Sequence, residues 1–142
     1  MIAEDIKDFK GFFPANPTPV FQGEGVREDA LRAILEYDIK NGAGGFWLAG
    51  TTGEGPILSE IQRRETAEIA ADVCKGRVKT IMHVGGITTE LSIAGAKAAK
   101  DSGCDAICLL PPFLYPLRTF VAPGFFAVLL KNSGISLFLL IF

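Results

Sequence analysis

The feature that most constrains the fold is a regular alternation of short apolar runs with amphipathic stretches. Apolar runs at residues 45–49, 78–84 and 105–110 are each followed by residues with helical spacing. Successive runs begin about 30 residues apart, which is the length of a strand, a helix and a return loop. Short, wholly apolar runs are typical of strands buried on both faces of a parallel sheet. The sequence therefore predicts repeated βαβ units.

Five strands and four helices are predicted in all. The first strand is expected within residues 11–21, which mix aromatic residues with three prolines, and the fifth at residues 135–142. Helices are expected at residues 26–42, 60–76, 90–103 and 119–132, the last interrupted near its start by Pro123-Gly124. Units of this kind build either an open doubly wound sheet or a closed (β/α)₈ barrel. Both place their chemistry at the carboxyl ends of the strands.

Two of the helices begin with capping signals. Ser59 is followed three residues later by Gln62, which is a capping-box pattern. Thr88 or Thr89 can cap the third helix. These signals predict where the two helices start.

Composition excludes several classes of partner. The chain has 142 residues, is 49% hydrophobic and carries 14 basic against 16 acidic residues, for a net charge of -2. We expect one domain over residues 1–142 and no nucleic-acid partner, because no cationic surface is available to neutralise phosphates. The N-terminus is acidic where a secretory signal would be basic, so a cytoplasmic protein is expected.

Cysteine and histidine do not form a metal-binding pattern. Cys74, Cys104 and Cys108 form neither a CxxC pair nor a set with His83, so buried thiols are favoured over metal ligands or disulfides. His83 stands inside an apolar strand, which favours a core or rim histidine over a catalytic one. Residues 120–142 contain no uninterrupted apolar run of the ~18 residues that a membrane span needs. No membrane partner is expected.

The stretch Gly50-Thr51-Thr52-Gly53-Glu54-Gly55-Pro56 directly follows the second predicted strand. It lacks the GK[ST] ending of a phosphate-binding P-loop. One interpretation is a tight strand-to-helix turn, and the other is a binding site. Two hydroxyls and the N–H groups of a glycine-flanked turn can converge on a carboxylate. A small anionic substrate would suit such a turn.

Several stretches together resemble the dihydrodipicolinate synthase and N-acetylneuraminate lyase superfamily. The resemblance extends from about Gly11 to Pro116. It is carried by PANPTP, by GTTGE with Leu58-Ser59, by Arg63 or Arg64 with Glu65, by HVGG with Thr88 and Thr89, and by SGCDAICLLPPF.

The resemblance implies a (β/α)₈ barrel and a class I aldolase mechanism. Family members use a lysine to form a Schiff base with pyruvate or another 2-oxo acid, and need no metal or cofactor. Carried over, Thr51, Thr52 and Gly53 become the substrate-binding residues, and Thr51 also a candidate for a proton relay. The resemblance further implies a homotetramer.

The resemblance weakens toward the end of the chain. The family's aromatic pair after the fourth strand aligns with Phe113-Leu114, so Tyr115 is the candidate to reach a neighbouring subunit's site. The family's acid/base tyrosine falls around Leu140 and its Schiff-base lysine on the sixth strand, beyond Phe142. We therefore expect the first four βα units and a fifth strand, with residues 117–142 divergent, as an altered or prematurely ended reading of a longer gene would give.

The expected function is an aldolase or lyase of this family, inactive as these 142 residues. The His83-Val84-Gly85 segment slightly favours the N-acetylneuraminate lyase branch over the dihydrodipicolinate synthase branch. The alternative is a non-catalytic remnant that binds a 2-oxo acid carboxylate or forms oligomers. A half barrel leaves open sheet edges, so the isolated chain is expected to associate.

Overall fold

The computed structural model describes residues 8–22, 25–110 and 122–139. Helices and strands alternate along the chain, as the apolar pattern predicts. The helices are α1 Glu28–Lys40, α2 Glu60–Cys74, α3 Thr89–Asp101 and α4 Ala122–Ser133. The strands are β1 Gly45–Leu48, β2 Lys79–His83, β3 Ala106–Leu109 and β4 Ser136–Leu139.

The four strands form one parallel sheet in the order β1-β2-β3-β4. Leu48 pairs with Met82 and His83 pairs with Cys108. Strand β3 in turn pairs in parallel with β4. Strand order follows sequence order, whereas a doubly wound sheet reverses its order at a switch point. Sequential parallel order is that of a (β/α)₈ barrel, so this part of the chain has the predicted barrel-type arrangement.

The first predicted strand is only partly formed. Phe12 bridges Ala43 and Ala15 bridges Trp47, both in parallel, so the segment lies beside β1 where the prediction puts it. The Trp47 N–H donates to the Pro14 carbonyl over 3.0 Å. The pairing stays at isolated bridges instead of a continuous strand. A physical reason is that prolines have no N–H to donate to a ladder.

The sheet buries both of its faces. Phe46, Leu48, Ile107 and Leu109 are at most 1% exposed and pack in the large cluster with residues of the helices. Ile81, Ala106 and Cys108 form a second cluster, against which Phe9, Phe13 and Trp47 pack. Phe46 and Leu48 therefore face the helices, while Trp47 faces the opposite side, which in a closed barrel is the interior.

The helix starts follow the capping signals. The Gln62 N–H donates to Ser59 Oγ over 3.2 Å and the Ser59 N–H to Gln62 Oε1 over 2.9 Å, which completes the predicted capping box. For α3 the cap is Thr88 and not Thr89, because Thr88 Oγ1 accepts from the Leu91 N–H over 3.2 Å. Local sequence thus sets both starts.

The last helix and strand overlap their predicted ranges within the described residues. Helix α4 begins at Ala122, so Pro123 and Gly124 lie in its first turn and do not interrupt it. Proline is tolerated there because the first N–H groups of a helix have no intrahelical partner. Strand β4 ends at Leu139, and residues 140–142 of the predicted strand lie outside the described part. Among the described residues, no helix is long and apolar enough to cross a membrane.

Candidate functional site

A tight turn at residues 49–54, followed by a short 3₁₀ helix at Gly55–Ile57, joins β1 to α2 at the carboxyl end of the sheet. The Glu54 N–H donates to the Thr51 carbonyl over 3.1 Å, and the Gly55 N–H donates to the Gly50 carbonyl over 3.0 Å. Thr51 and Thr52 are exposed at the tip. The backbone is thus fixed by its own hydrogen bonds while two hydroxyls remain accessible to a ligand.

The turn depends on a close approach between its two ends. A Cβ at Gly55 would lie 1.7 Å from the Ala49 carbonyl oxygen. A Cβ at Gly53 would lie 2.9 Å from the backbone carbonyl oxygen of Asn16. Ala49 (φ 50°) and Glu54 (φ 54°) both adopt the left-handed conformation, which is uncommon for residues other than glycine. Such backbone strain concentrates at binding and catalytic sites.

His83 ends β2 beside this turn. Since Leu48 pairs with Met82, the next residues, Ala49 and His83, lie at the same level of the sheet. Burial and then the charge of Arg63 lower the pKa of His83 to about 4, and a backbone interaction with Ala49 acts in the opposite direction. The imidazole is therefore neutral at physiological pH. The predicted burial of His83 is confirmed, with 5% of the residue exposed.

Arg63 links α2 to the end of β2. Its Nη2 donates to the His83 carbonyl over 2.8 Å, and both Nη atoms donate to the Gly85 carbonyl over 3.3 Å. Burial lowers the pKa of this guanidinium, while the Glu60 carboxylate acts in the opposite direction. The Arg64 Nε instead pairs with Glu68 at the surface. Of the two arginines that the sequence left open, Arg63 is the one that contacts the site.

Asn16 was not identified from the sequence. It is 2% exposed, its N–H donates to the Trp47 carbonyl over 3.0 Å, and neither Oδ1 nor Nδ2 has a hydrogen-bond partner. Asn16 and His83 thus flank the end of β1 from opposite sides, each with unpaired buried polar atoms. A polar residue between prolines gave no signal that distinguishes such a position from an ordinary loop.

Glu65 fixes the entry to α1. Its Oε2 accepts a hydrogen bond from the Val26 N–H over 2.8 Å. A Cβ at Gly25 would lie 2.7 Å from the same oxygen. Arg63 and Glu65 therefore connect α2 to two other segments, the end of β2 and the entry to α1.

The structural architecture and the sequence match one family. The model of the dihydrodipicolinate synthetase family matches residues 8–135. The chain belongs to this family. Its sequential parallel strands are therefore those of a family barrel over the described residues.

This family member is similar both to N-acetylneuraminate lyases and to a dihydrodipicolinate synthase. N-acetylneuraminate lyase 2 of Escherichia coli O6:H1 is 38% identical over 109 residues, or 77% of this chain and 36% of the lyase. A dihydrodipicolinate synthase crystal structure superposes with a TM-score of 0.86 at 32% identity, over 92% of this chain and 45% of that one. N-acetylneuraminate lyase from Mycoplasma synoviae has a TM-score of 0.85 at 26% identity, over 94% and 47%. This family member spans less than half the length of each.

Four of the described lysines of this family member lie at the ends of helices or strands away from the turn. Lys79 begins β2 at the amino end of the sheet, where its Nζ contacts Asp105 Oδ1 over 2.8 Å. Lys40 and Lys100 lie in the last turns of α1 and α3, at that same end, and Lys131 in the last turn of α4. Tyr115 lies outside the described residues.

Proposed function

We propose that Thr51, Thr52 and Gly53 form the 2-oxo acid carboxylate site of a Schiff-base aldolase or lyase of the family. The observation that carries the proposal is the turn itself, in which exposed Thr51 and Thr52 stand on a hydrogen-bonded backbone between buried Gly53 and the end of β1. Family membership supports the reaction class, since the relatives are lyases and synthases.

The chemistry of this site follows from its donors. The hydroxyls of Thr51 and Thr52 and the Gly53 N–H can bond a carboxylate without a cationic partner. In the family reaction a lysine forms an imine with the keto carbon. The imine then accepts electrons from the adjacent carbon–carbon bond as that bond breaks, or stabilises the nucleophile as it forms. We propose Thr51 as the hydroxyl that relays a proton at this step.

The preferred substrate class is that of N-acetylneuraminate lyase. Three curated relatives with this activity in their names are 35 to 38% identical to the chain over about three quarters of its length. A dihydrodipicolinate synthase-like reaction is the second candidate, because a synthase shares the fold at 32% identity. Pyruvate is common to the family chemistry and is therefore the ligand to test first. We further propose a cytoplasmic homotetramer for the whole protein.

A non-catalytic carboxylate-binding or oligomer-forming protein is the alternative. It is favoured by the positions of Lys40, Lys79, Lys100 and Lys131, which lie away from the turn. Borohydride reduction with pyruvate separates the two, because a Schiff base becomes a permanent mass adduct. We expect no adduct and no turnover from the 142-residue chain. An adduct mapped to any lysine in it would contradict this expectation.

Calorimetry with pyruvate tests the binding site. We expect the 142-residue chain to bind pyruvate, and Thr52→Ala to weaken binding about tenfold through the loss of one hydrogen bond to a charged group. Thr52→Ser is the matched control, because it keeps the hydroxyl. Equal affinity of the alanine and serine variants would contradict the assignment, and so would the absence of heat with the parent chain.

A further inference from the structure

The carbonyl group of Ala49 is buried and has no backbone donor. Ala49 is 0% exposed and adopts the left-handed conformation (φ 50°) at the start of the turn that carries Thr51 and Thr52. No backbone N–H of the described residues donates to its carbonyl oxygen. Buried carbonyl groups in native proteins are almost always paired, so a side-chain donor is expected close to this one.

The imidazole of His83 lies next to this carbonyl. The register of β1 and β2 makes His83 level with Ala49. Side chains alternate along a strand, so the ring is on the same face as Ile81, which belongs to the cluster away from the helices. A Cβ at Gly85 would lie 3.0 Å from the ring Nε2, so the ring extends along the strand toward its carboxyl end. The turn begins at that same end.

One nitrogen of the ring is the donor and the other is not. Burial and then the charge of Arg63 lower the pKa of His83 to about 4, so the imidazole is neutral near pH 7 and has a single N–H. A hydrogen bond with the Ala49 backbone acts in the raising direction, as donation from the ring to a carbonyl does. Nδ1 has no hydrogen-bond partner among the described residues. The N–H is therefore on Nε2, and Nδ1 is the unprotonated nitrogen.

We infer that His83 is a positioning residue for the carboxylate site, whose Nε2–H donates to the Ala49 carbonyl and so fixes the turn that presents Thr51 and Thr52. This inference rests on the proposed function of that turn. The bond acts on the first residue of the turn, where a left-handed backbone is unfavourable for a residue with a Cβ. Without the bond the turn relaxes, and the two hydroxyls lose the positions from which they bind a carboxylate together.

Nitrogen NMR of the imidazole tests the hydrogen bond without any ligand, because His83 is the single histidine of the chain. In the free chain we expect the ring proton on Nε2, with slow exchange of this proton with solvent, and an unprotonated Nδ1. A proton on Nδ1, or a mixture of the two tautomers, would overturn the inference.

Two substitutions of His83 test whether the bond contributes to binding. His83→Phe keeps a ring but removes the donor, so pyruvate should bind about tenfold more weakly. His83→Gln is the matched control, because its amide N–H can replace Nε2–H and should recover most of that loss. A role in packing alone predicts the reverse order, since phenylalanine fills the space of the ring better than glutamine. Equal affinities of the two variants, or tighter binding by His83→Phe, would overturn the inference.

Gly85→Ala provides a test that leaves the imidazole in the chain. The added Cβ would lie 2.9 Å from the His83 Cε1, so the ring must move away from its position beside the carbonyl. We expect a loss of pyruvate affinity similar to that of His83→Phe. Parent-like affinity of both variants would overturn the inference, while binding that depends on Thr52 would still uphold the proposed function. No pyruvate binding by the parent chain would contradict both.

Discussion

The guanidinium of Arg63 donates two hydrogen bonds, each of 3.3 Å, to the carbonyl oxygen of Gly85. These bonds join the first half of α2 to the backbone that follows β2. Together with the bond to the His83 carbonyl, they anchor the end of β2 to α2. The end of β2 is thus held by a side chain that takes no part in the proposed chemistry.

Replacing Arg63 should destabilise the fold, whereas replacing its neighbour should not. Arg63→Ala leaves the carbonyls of His83 and Gly85 without their donors, so we expect a loss of about 2–3 kcal/mol in the free energy of unfolding. Arg64→Ala removes only an exposed pair with Glu68 and should change stability by less than about 0.5 kcal/mol. Urea titration of both variants measures the difference. Equal effects would show that the Arg63 contacts do not support the fold.

Two glycines of the turn should differ strongly in their tolerance of the same substitution. Gly55→Ala places a methyl group 1.7 Å from the Ala49 carbonyl oxygen, so the turn must open, at a cost of about 3 kcal/mol or more. Gly50→Ala meets no atom within 4 Å and should alter stability by less than about 1 kcal/mol. Thermal unfolding followed by circular dichroism compares them. A well-tolerated Gly55→Ala would contradict the close approach.

Stability should fall in mild acid because of His83. Its folded pKa of about 4 lies below the ordinary 6.5, so the unfolded chain binds a proton before the native chain does. The contribution is fully present above pH 6.5, decreases as the pH falls toward 4, and amounts to about 3 kcal/mol. His83→Gln should lose this part of the pH dependence. Parallel stability curves for parent and variant between these pH values would refute the shift.

The three cysteines should be unreactive in the native chain. Burial raises the pKa of Cys74, Cys104 and Cys108 to about 12 each, so almost no thiolate is present near neutral pH. We expect a thiol reagent to label none of them in the folded chain and all of them in denaturant. Rapid labelling under native conditions would show that the packing around them is looser than described.

The repeating units could be predicted because their signals are local. The apolar spacing of α1 and the capping box of α2 each involve residues a few positions apart. The burial of the cysteines was also predicted from the sequence, and family membership was predicted from the motifs. The choice between barrel and doubly wound sheet could not be made from spacing, since strand order depends on long-range pairing.

The site itself was only partly predictable. GTTGEGP indicated the turn, but the role of Arg63 depends on carbonyl groups twenty residues away or more. Asn16 comes to the site through its pairing with Trp47, and its unpaired side chain is a property of packing. Contacts between residues that are far apart in the sequence produce no periodic pattern in a single sequence. Tyr115 lies outside the described residues, so its proposed role stays a prediction.

Amide NMR of the 142-residue chain during a pyruvate titration tests the carboxylate site most directly. We predict saturable shifts concentrated at the N–H groups of Thr51, Thr52 and Gly53, which disappear when methyl pyruvate replaces the free acid because the ester carries no carboxylate. Shifts that spare these three residues, or equal shifts with the ester, would contradict the assignment of the turn as a 2-oxo acid carboxylate site.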